Sequence, residues 1–346
     1  MYNSINHFYN LFAKVSRQFP ADTSSAESFE RWRDLARKKL SKILCLNELA
    51  DDTPLEPKLL EEVEIEDGIV RKLVEINIFA DEKMPMYILV PKNCDKEELF
   101  LAISGHCGGG MAAVVGDRSN PLVSEAIDKF DYDYGLELAK RGYTVICPET
   151  RGFGMRREAD IAGDDLIIKC SCYNMARVAT GLGLNLFGFQ VYDLMKVVDY
   201  IYESEDFAGF DKEKLSILGF SGGGYQTLYL AALDERLKNV IISGYMYGYN
   251  DAFITKNGNC SCNYVPGLWE TFEMGDIGAM IAPRTFIIQS GDKDHLNGPR
   301  GLDNVIPQVD IIKNAYKVCG GNVMHDICQG PHRWYKARLD DYLARL

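Results

Sequence analysis

Ser221 sits in the run LSILGFSGGGYQTLYLAALDE, framed by Gly219, Gly222, Gly223 and Gly224. The apolar residues before it read as a buried strand over 215–218, and 227–233 continues at helical spacing, so the glycines fall on a strand-to-helix turn. In a turn this tight, side chains beside the serine collide with strand or helix, and the serine hydroxyl is pushed outward at the helix N-terminus. There the unpaired N–H groups and the positive dipole end favour the charge that builds on a carbonyl oxygen under attack. A phosphate-binding loop would need a closing Lys-Ser or Lys-Thr, which is absent. Ser221 is the candidate nucleophile for acyl transfer.

A serine hydroxyl needs a general base and an orienting carboxylate. In a chain with this turn they follow in the order acid, then histidine. The segment SGDKDHLNG follows an apolar run at 285–289, and CQGPHRWY follows another at 323–327. Loops after parallel strands share the carboxyl edge of the sheet with Ser221. His332, held by Gly330 and Pro331, is the candidate base; His325 falls inside a predicted strand, and His7 lies outside the sheet region. Of the two aspartates, Asp294 stands far enough past Gly291 to lean toward His332. Asp292 reads as a turn former whose side chain bonds the amide two residues on. His295 lines the site or is merely exposed. Gly222 is expected to supply one oxyanion N–H, and the glycine-rich loop of FLAISGHCGGGM the other, at His106 or alternatively Cys107, with Gly105 close to the substrate.

Short apolar strands alternating with helices from residue 99 onward predict a mostly parallel sheet, with strands at 99–103, 143–147, 215–218, 240–243, 285–289 and 323–327. Alternating apolar segments at 61–93 predict antiparallel strands before it, and the first sixty residues read as helical. Val191, Leu194, Met195, Val198 and Ile201 form one core-facing helical stripe, and Leu339, Leu343 and Leu346 another. The division expected is an N-terminal helical extension over 1–60 and a catalytic domain over 61–346, with a lid-like insertion at about 156–185. A second pocket wall is expected from NGNCSCNYVPGLWETFEMGDIG, where Tyr264, Trp269 and Phe272 serve as lining or as core.

With 47% hydrophobic and 25% charged residues in 346, the chain can bury a large core. Its net charge of −12 disfavours nucleic acid and anionic membrane as partners and favours a small neutral substrate. No apolar run approaches the ~18 residues of a membrane span, and the N-terminal stretch lacks the apolar core of a signal peptide. The expected location is cytoplasmic, with a homo-oligomer open. The ten cysteines are scattered and read as reduced thiols. The pairs Cys170/Cys172 and Cys260/Cys262 would, if they met, make a four-thiolate zinc site. Paired zinc ligands are usually spaced by two to four residues, so neither a metal nor a cofactor is expected.

PETRGFGMRRE, GFSGGGYQTLYLAALDER, APRTFIIQSGDKD and GPHRW together resemble the α/β-hydrolase superfamily, most nearly bacterial acetyl xylan esterase and cephalosporin deacetylase-like enzymes and dienelactone-hydrolase-like esterases. The resemblance runs from about Glu61 to the C-terminus. It implies an α/β-hydrolase fold, an acid at the third position after the glycine, here Asp294, and a scaffolding role for Arg151-Gly152. It also implies a serine carboxylesterase acting on short-chain acyl esters, acetyl foremost, with carbohydrate esters among its substrates. The sequence departs from the deacetylases in carrying Gly222 where Gln usually follows the serine, and Ser104-Gly105-His106 where His-Gly-aromatic is usual. Two other readings stay open on this fold. One is a prolyl-oligopeptidase-like peptidase, for which there is no room for a propeller. The other is a catalytically inactive binding protein, against which the intact Ser, Asp and His argue.

Overall fold

The structure is a computed structural model that describes residues 3–92, 97–159, 169–255 and 259–346. Among these, nine strands form one sheet: β1 (Lys58–Glu64), β2 (Ile69–Phe79), β3 (Glu82–Pro91), β4 (Leu99–Ile103), β5 (Thr144–Pro148), β6 (Ser216–Phe220), β7 (Asn239–Ser243), β8 (Thr285–Gly291) and β9 (Val323–Cys328). Their order is β1-β2-β3-β5-β4-β6-β7-β8-β9. The first three strands and the β3–β5 pair are antiparallel, and every pair from β5 to β9 is parallel. This is the mixed sheet the sequence predicts, with strand limits within a residue or two.

Runs such as LFLAI and SILGF are apolar throughout because helices cover both faces of the sheet. Successive residues serve opposite cores: Leu99, Leu101 and Ile103 pack on one side, Phe100 and Ala102 on the other. The first core receives the helices Leu186–Glu203, Gly222–Leu233 and Leu302–Cys319; the second receives Pro121–Phe130, Tyr134–Ala139 and Leu339–Leu343. β1, with the sequence KLLEEVE, is an exposed and heavily charged edge, which discourages pairing with another chain.

The N-terminal helices are built into the first core. In Ala26–Ile43, Phe29, Trp32, Ala36 and Leu40 are buried against it, at the spacing of one helix face. Arg33 and Arg37 donate to the carbonyls of Ala282 and Ala232, tying this helix to the helix Gly222–Leu233 and to the segment before β8. At the other terminus Leu339 is buried, but Leu346 lies beyond the helix and is exposed, so the predicted stripe is one turn shorter than expected. Residues 160–168 of the expected lid lie outside the described residues. On either side of them are the turn Gly154–Arg156 and the helix Cys172–Gly181.

Candidate active site

β6 ends at Phe220 and the helix Gly222–Leu233 starts immediately after Ser221, earlier than the helical spacing alone suggested. Ser221 has φ 54° and ψ −115°, a conformation that costs a non-glycine residue ~1–3 kcal/mol. It is held there by its N–H, which donates to Ser243 O of β7 at 2.8 Å. The neighbours must be glycine for want of space: a Cβ on Gly223 would lie 2.0 Å from Ile103 O, and one on Gly222 2.4 Å from His106 Nδ1 and 2.7 Å from His106 N. The backbones of Gly222 and His106 thus meet beside the serine.

Ser221 Oγ lies 2.8 Å from His332 Nε2, and His332 Nδ1 lies 2.6 Å from Asp294 Oδ2. The three arrive from the ends of β6, β8 and β9 on one edge of the sheet. The Asp294 side chain is only 1% exposed, and its second oxygen accepts from the Leu296 N–H at 2.8 Å. The Asx-type turn expected of Asp292 therefore belongs to Asp294. Asp292 Oδ1 instead accepts from the Gly330 N–H at 2.8 Å, and Lys293 N–H donates to Gly330 O at 2.9 Å, so the acid loop is zipped to the loop that carries His332. The His332 ring packs on Phe220 at 4.7 Å between centroids. His295 lines the cavity with its side chain 67% exposed, its ring 5.7 Å from that of His332. His325 does not line the cavity: it lies in β9 with Nε2 3.1 Å from Ser290 Oγ, and burial pushes its pKa down to about 4.

Ser221 opens into a cavity of about 690 Å³. Tyr225, Tyr245 and Tyr247 line it, with Tyr264 and Tyr173 also contributing. Each of the first three hydroxyls is engaged by a side-chain amide: Tyr225 with Gln190, Tyr245 with Asn263, Tyr247 with Asn259. No Lys or Arg is among the described residues that line the cavity. Of the second expected wall, Tyr264 reaches the cavity, Phe272 is core, and Trp269 stacks in an aromatic group with Tyr249 and Phe253.

His106 and Cys107 line the cavity, whereas Gly105, expected near substrate, does not. The reason is that Gly105 packs away from it, between Tyr132 and the Phe220 carbonyl. The glycine loop is also anchored rather than free: a Cβ on Gly110 would lie 2.2 Å from Glu149 Oε1. Glu149 accepts the Met111 N–H on one oxygen and the Met155 N–H on the other, both at 3.1 Å, tying this loop to the one after β5. Burial raises its pKa to about 7 despite these bonds. Sequence reasoning missed Glu149, although it stands in the same PETRGFG stretch as Arg151. Arg151 pairs with buried Asp193 at 2.9 and 3.0 Å, and Arg156 joins at 2.7 Å, which fixes the loop from below.

One member of the first cysteine pair meets both members of the second, together with a residue assigned to a different task. His106 Nε2 lies 3.1 Å from Cys262 Sγ, and the donor atoms of His106, Cys172, Cys260 and Cys262 all lie within 4.8 Å of one another. Cys107 and Cys170 are outside this group, their sulfurs 2.9 Å apart.

A profile described as the Abhydrolase family matches residues 12–331. The chain belongs to this α/β-hydrolase family. The hydrolase is 27% identical over 278 residues to the Bacillus subtilis (strain 168) protein named "Putative hydrolase YtaP", covering 78% of this chain and 84% of that one. In structure it resembles a protein from Bacteroides fragilis titled "putative acetyl xylan esterase", with a TM-score of 0.76 at 18% identity over 94% of this chain and 82% of the other. It also resembles a glucuronoyl esterase from Solibacter usitatus, with a TM-score of 0.62 at 14% identity over 95% of each chain. At such identities the likeness is one of fold. No helix among the described residues is long and apolar enough to cross a membrane.

Proposed function

We propose that this hydrolase is a serine carboxylic-ester hydrolase that removes short acyl groups, acetyl foremost, from carbohydrate esters. The observation that carries the reading is the continuous Ser221–His332–Asp294 chain of 2.8 and 2.6 Å contacts at an accessible, strained turn. In this reading His332 takes the Ser221 proton through Nε2 as the hydroxyl oxygen attacks the ester carbonyl. Asp294 holds the imidazole in the tautomer with Nδ1–H and stabilises the imidazolium. The N–H groups of Gly222 and His106 receive the oxyanion. His332 then protonates the leaving alcohol and activates the water that releases the acyl group.

Two features support the substrate class. Sugar rings stack well on aromatic walls, and tyrosines dominate this cavity. Among the described residues the lining holds no Lys or Arg, which suits a neutral ester better than an anionic one. The neighbours named acetyl xylan and glucuronoyl esterases share the fold on which such sites are built.

The test is a panel of aryl esters from acetyl to octanoyl, acetylated xylo-oligosaccharides and peptide anilides. Acetyl esters are expected to turn over fastest. Equal or faster octanoyl turnover overturns the acyl preference, and cleavage of peptide anilides without ester turnover replaces the esterase with a peptidase.

A further inference from the structure

We infer that His106, Cys172, Cys260 and Cys262 form a metal site for zinc(II), with four protein ligands, set in the wall of the active-site cavity. This departs from the expectation, based on Cys-x-Cys spacing, that no metal is bound. The spacing rule concerns paired ligands on one segment, whereas these four donors come from three separate segments. His106 follows β4, Cys172 begins the helix Cys172–Gly181, Cys260 precedes the turn Ser261–Asn263 and Cys262 lies within it.

Geometry is the first argument. Zinc binds sulfur at ~2.3 Å and imidazole nitrogen at ~2.0 Å, so the edges of its tetrahedron are roughly 3.5–3.8 Å. Four donor atoms within 4.8 Å of one another, one pair at 3.1 Å, need to move by only about an ångström or less to meet that figure. Donor chemistry is the second. Neutral thiols are weak hydrogen-bond partners for one another, and gathering three of them round an imidazole in a buried spot has little stabilising value by itself. Three thiolates and one imidazole are a recurrent structural zinc set. Cys172 and Cys262 are 0% and 2% exposed, dry enough to hold such an ion.

The surroundings match a thiolate better than a thiol. Asn263 Nδ2 donates to Cys262 Sγ at 3.4 Å, and Asn263 is itself oriented by Tyr245 Oη, which donates to its Oδ1 at 2.7 Å. Outer donors of this kind hold ligands in place. With all four positions filled by protein, the ion would not touch substrate. Its work would be mechanical: it would join the loop of His106 to both cavity walls. The zinc site stands without the esterase reading; only its effect on turnover, through the position of the His106 N–H, rests on that reading.

The test begins with the full chain purified under reducing conditions without chelator, then loaded with zinc and gel-filtered. Elemental analysis should find about one zinc per chain. Cobalt(II) in its place should give the intense visible bands of a tetrahedral ion and near-ultraviolet sulfur-to-cobalt charge transfer. Cys260→Ser combined with Cys262→Ser should lose the metal, while Cys45→Ser with Cys319→Ser should retain it. Because the first double variant can fail to fold, iodoacetamide labelling of the unaltered protein provides a second reading. Cys172, Cys260 and Cys262 should be protected until a chelator is added. Negligible zinc after loading, a six-coordinate cobalt spectrum, or disulfides among these cysteines in the freshly purified protein would each overturn the site. Labelling of Ser221 by a fluorophosphonate in the same samples reports on the catalytic reading separately.

Discussion

Replacing Asp294 by Asn tests the proposed relay at its most constrained point. The carboxylate meets two demands with two oxygens: Oδ2 accepts from His332 Nδ1 at 2.6 Å and Oδ1 from the Leu296 N–H at 2.8 Å. An asparagine has one acceptor for both. If its oxygen faces His332, its NH₂ is set against the Leu296 N–H, and a buried donor goes unpaired at ~1–3 kcal/mol. If the oxygen stays on Leu296, the NH₂ donates to Nδ1 and every group is satisfied. The second arrangement wins, but it moves the imidazole proton to Nε2, which then faces Ser221 and cannot accept its proton. The loss expected in kcat is up to ~10⁴, or about 5 kcal/mol of barrier. Asp292→Asn keeps an oxygen for the Gly330 N–H and should stay close to wild type. The assay is kcat on an acetyl aryl ester for both variants, with thermal unfolding to show that the fold persists. Near-normal turnover by Asp294→Asn beside a collapse in Asp292→Asn would refute the assignment of the acid.

The nucleophile is checked by mass: a fluorophosphonate should add to the peptide bearing Ser221, Ser221→Ala should abolish the adduct, and persistent labelling would remove the elbow assignment. Glu149, with its pKa raised from 4.5 to about 7 by burial, binds its proton more tightly folded than unfolded, so its stabilising contribution is complete below about pH 4.5 and is lost as the pH rises through 7. Glu149→Gln cannot ionise, but its NH₂ opposes one of the two N–H groups that Glu149 accepts, so it should be less stable than wild type at pH 5 by ~1–3 kcal/mol, and that deficit should shrink or reverse by pH 8 as wild type loses up to about 3 kcal/mol; a Tm difference that does not vary with pH would contradict the buried-carboxyl account. His325, neutral in the fold with its pKa near 4, lets the unfolded chain take up the proton first, so stability falls as the pH drops from 6.5 through 4. His325→Gln should blunt that acid loss while ester turnover stays near wild type, and a collapse of kcat in a folded His325→Gln protein would move the general base away from His332.

What could be read ahead of the structure follows a physical divide. Parallel strands covered on both faces must be apolar at every position, so LFLAI and SILGF announce themselves locally. The order Ser, Asp, His is equally local, since each side chain follows its own strand. What depends on where distant loops meet was less visible. The wrong partner was expected for Asp292, because the competing Gly330 N–H is brought alongside only by the pairing of β8 with β9. Glu149 reads as an unremarkable surface acid until two loops close over it. The first sixty residues read as helical, but not as a helix whose apolar face, with Phe29 and Trp32, completes the main core.

The two departures from the deacetylase pattern turn out to be linked in space. Glycine follows the nucleophile because a Cβ at 222 would strike the His106 ring at 2.4 Å. That ring occupies this position while its other nitrogen points at Cys262, 3.1 Å away. The ring also packs on Phe153 at 4.9 Å and Tyr225 at 5.7 Å, so little freedom is left to it. A residue recruited in the sequence reading only for its backbone N–H thus has a side chain with one edge on the catalytic turn and the other in the cysteine cluster. Glycine at 222, histidine at 106 and the two Cys-Ser-Cys triplets are best understood as one arrangement. In it, the loop proposed to hold the oxyanion is positioned through the cysteine-bearing walls.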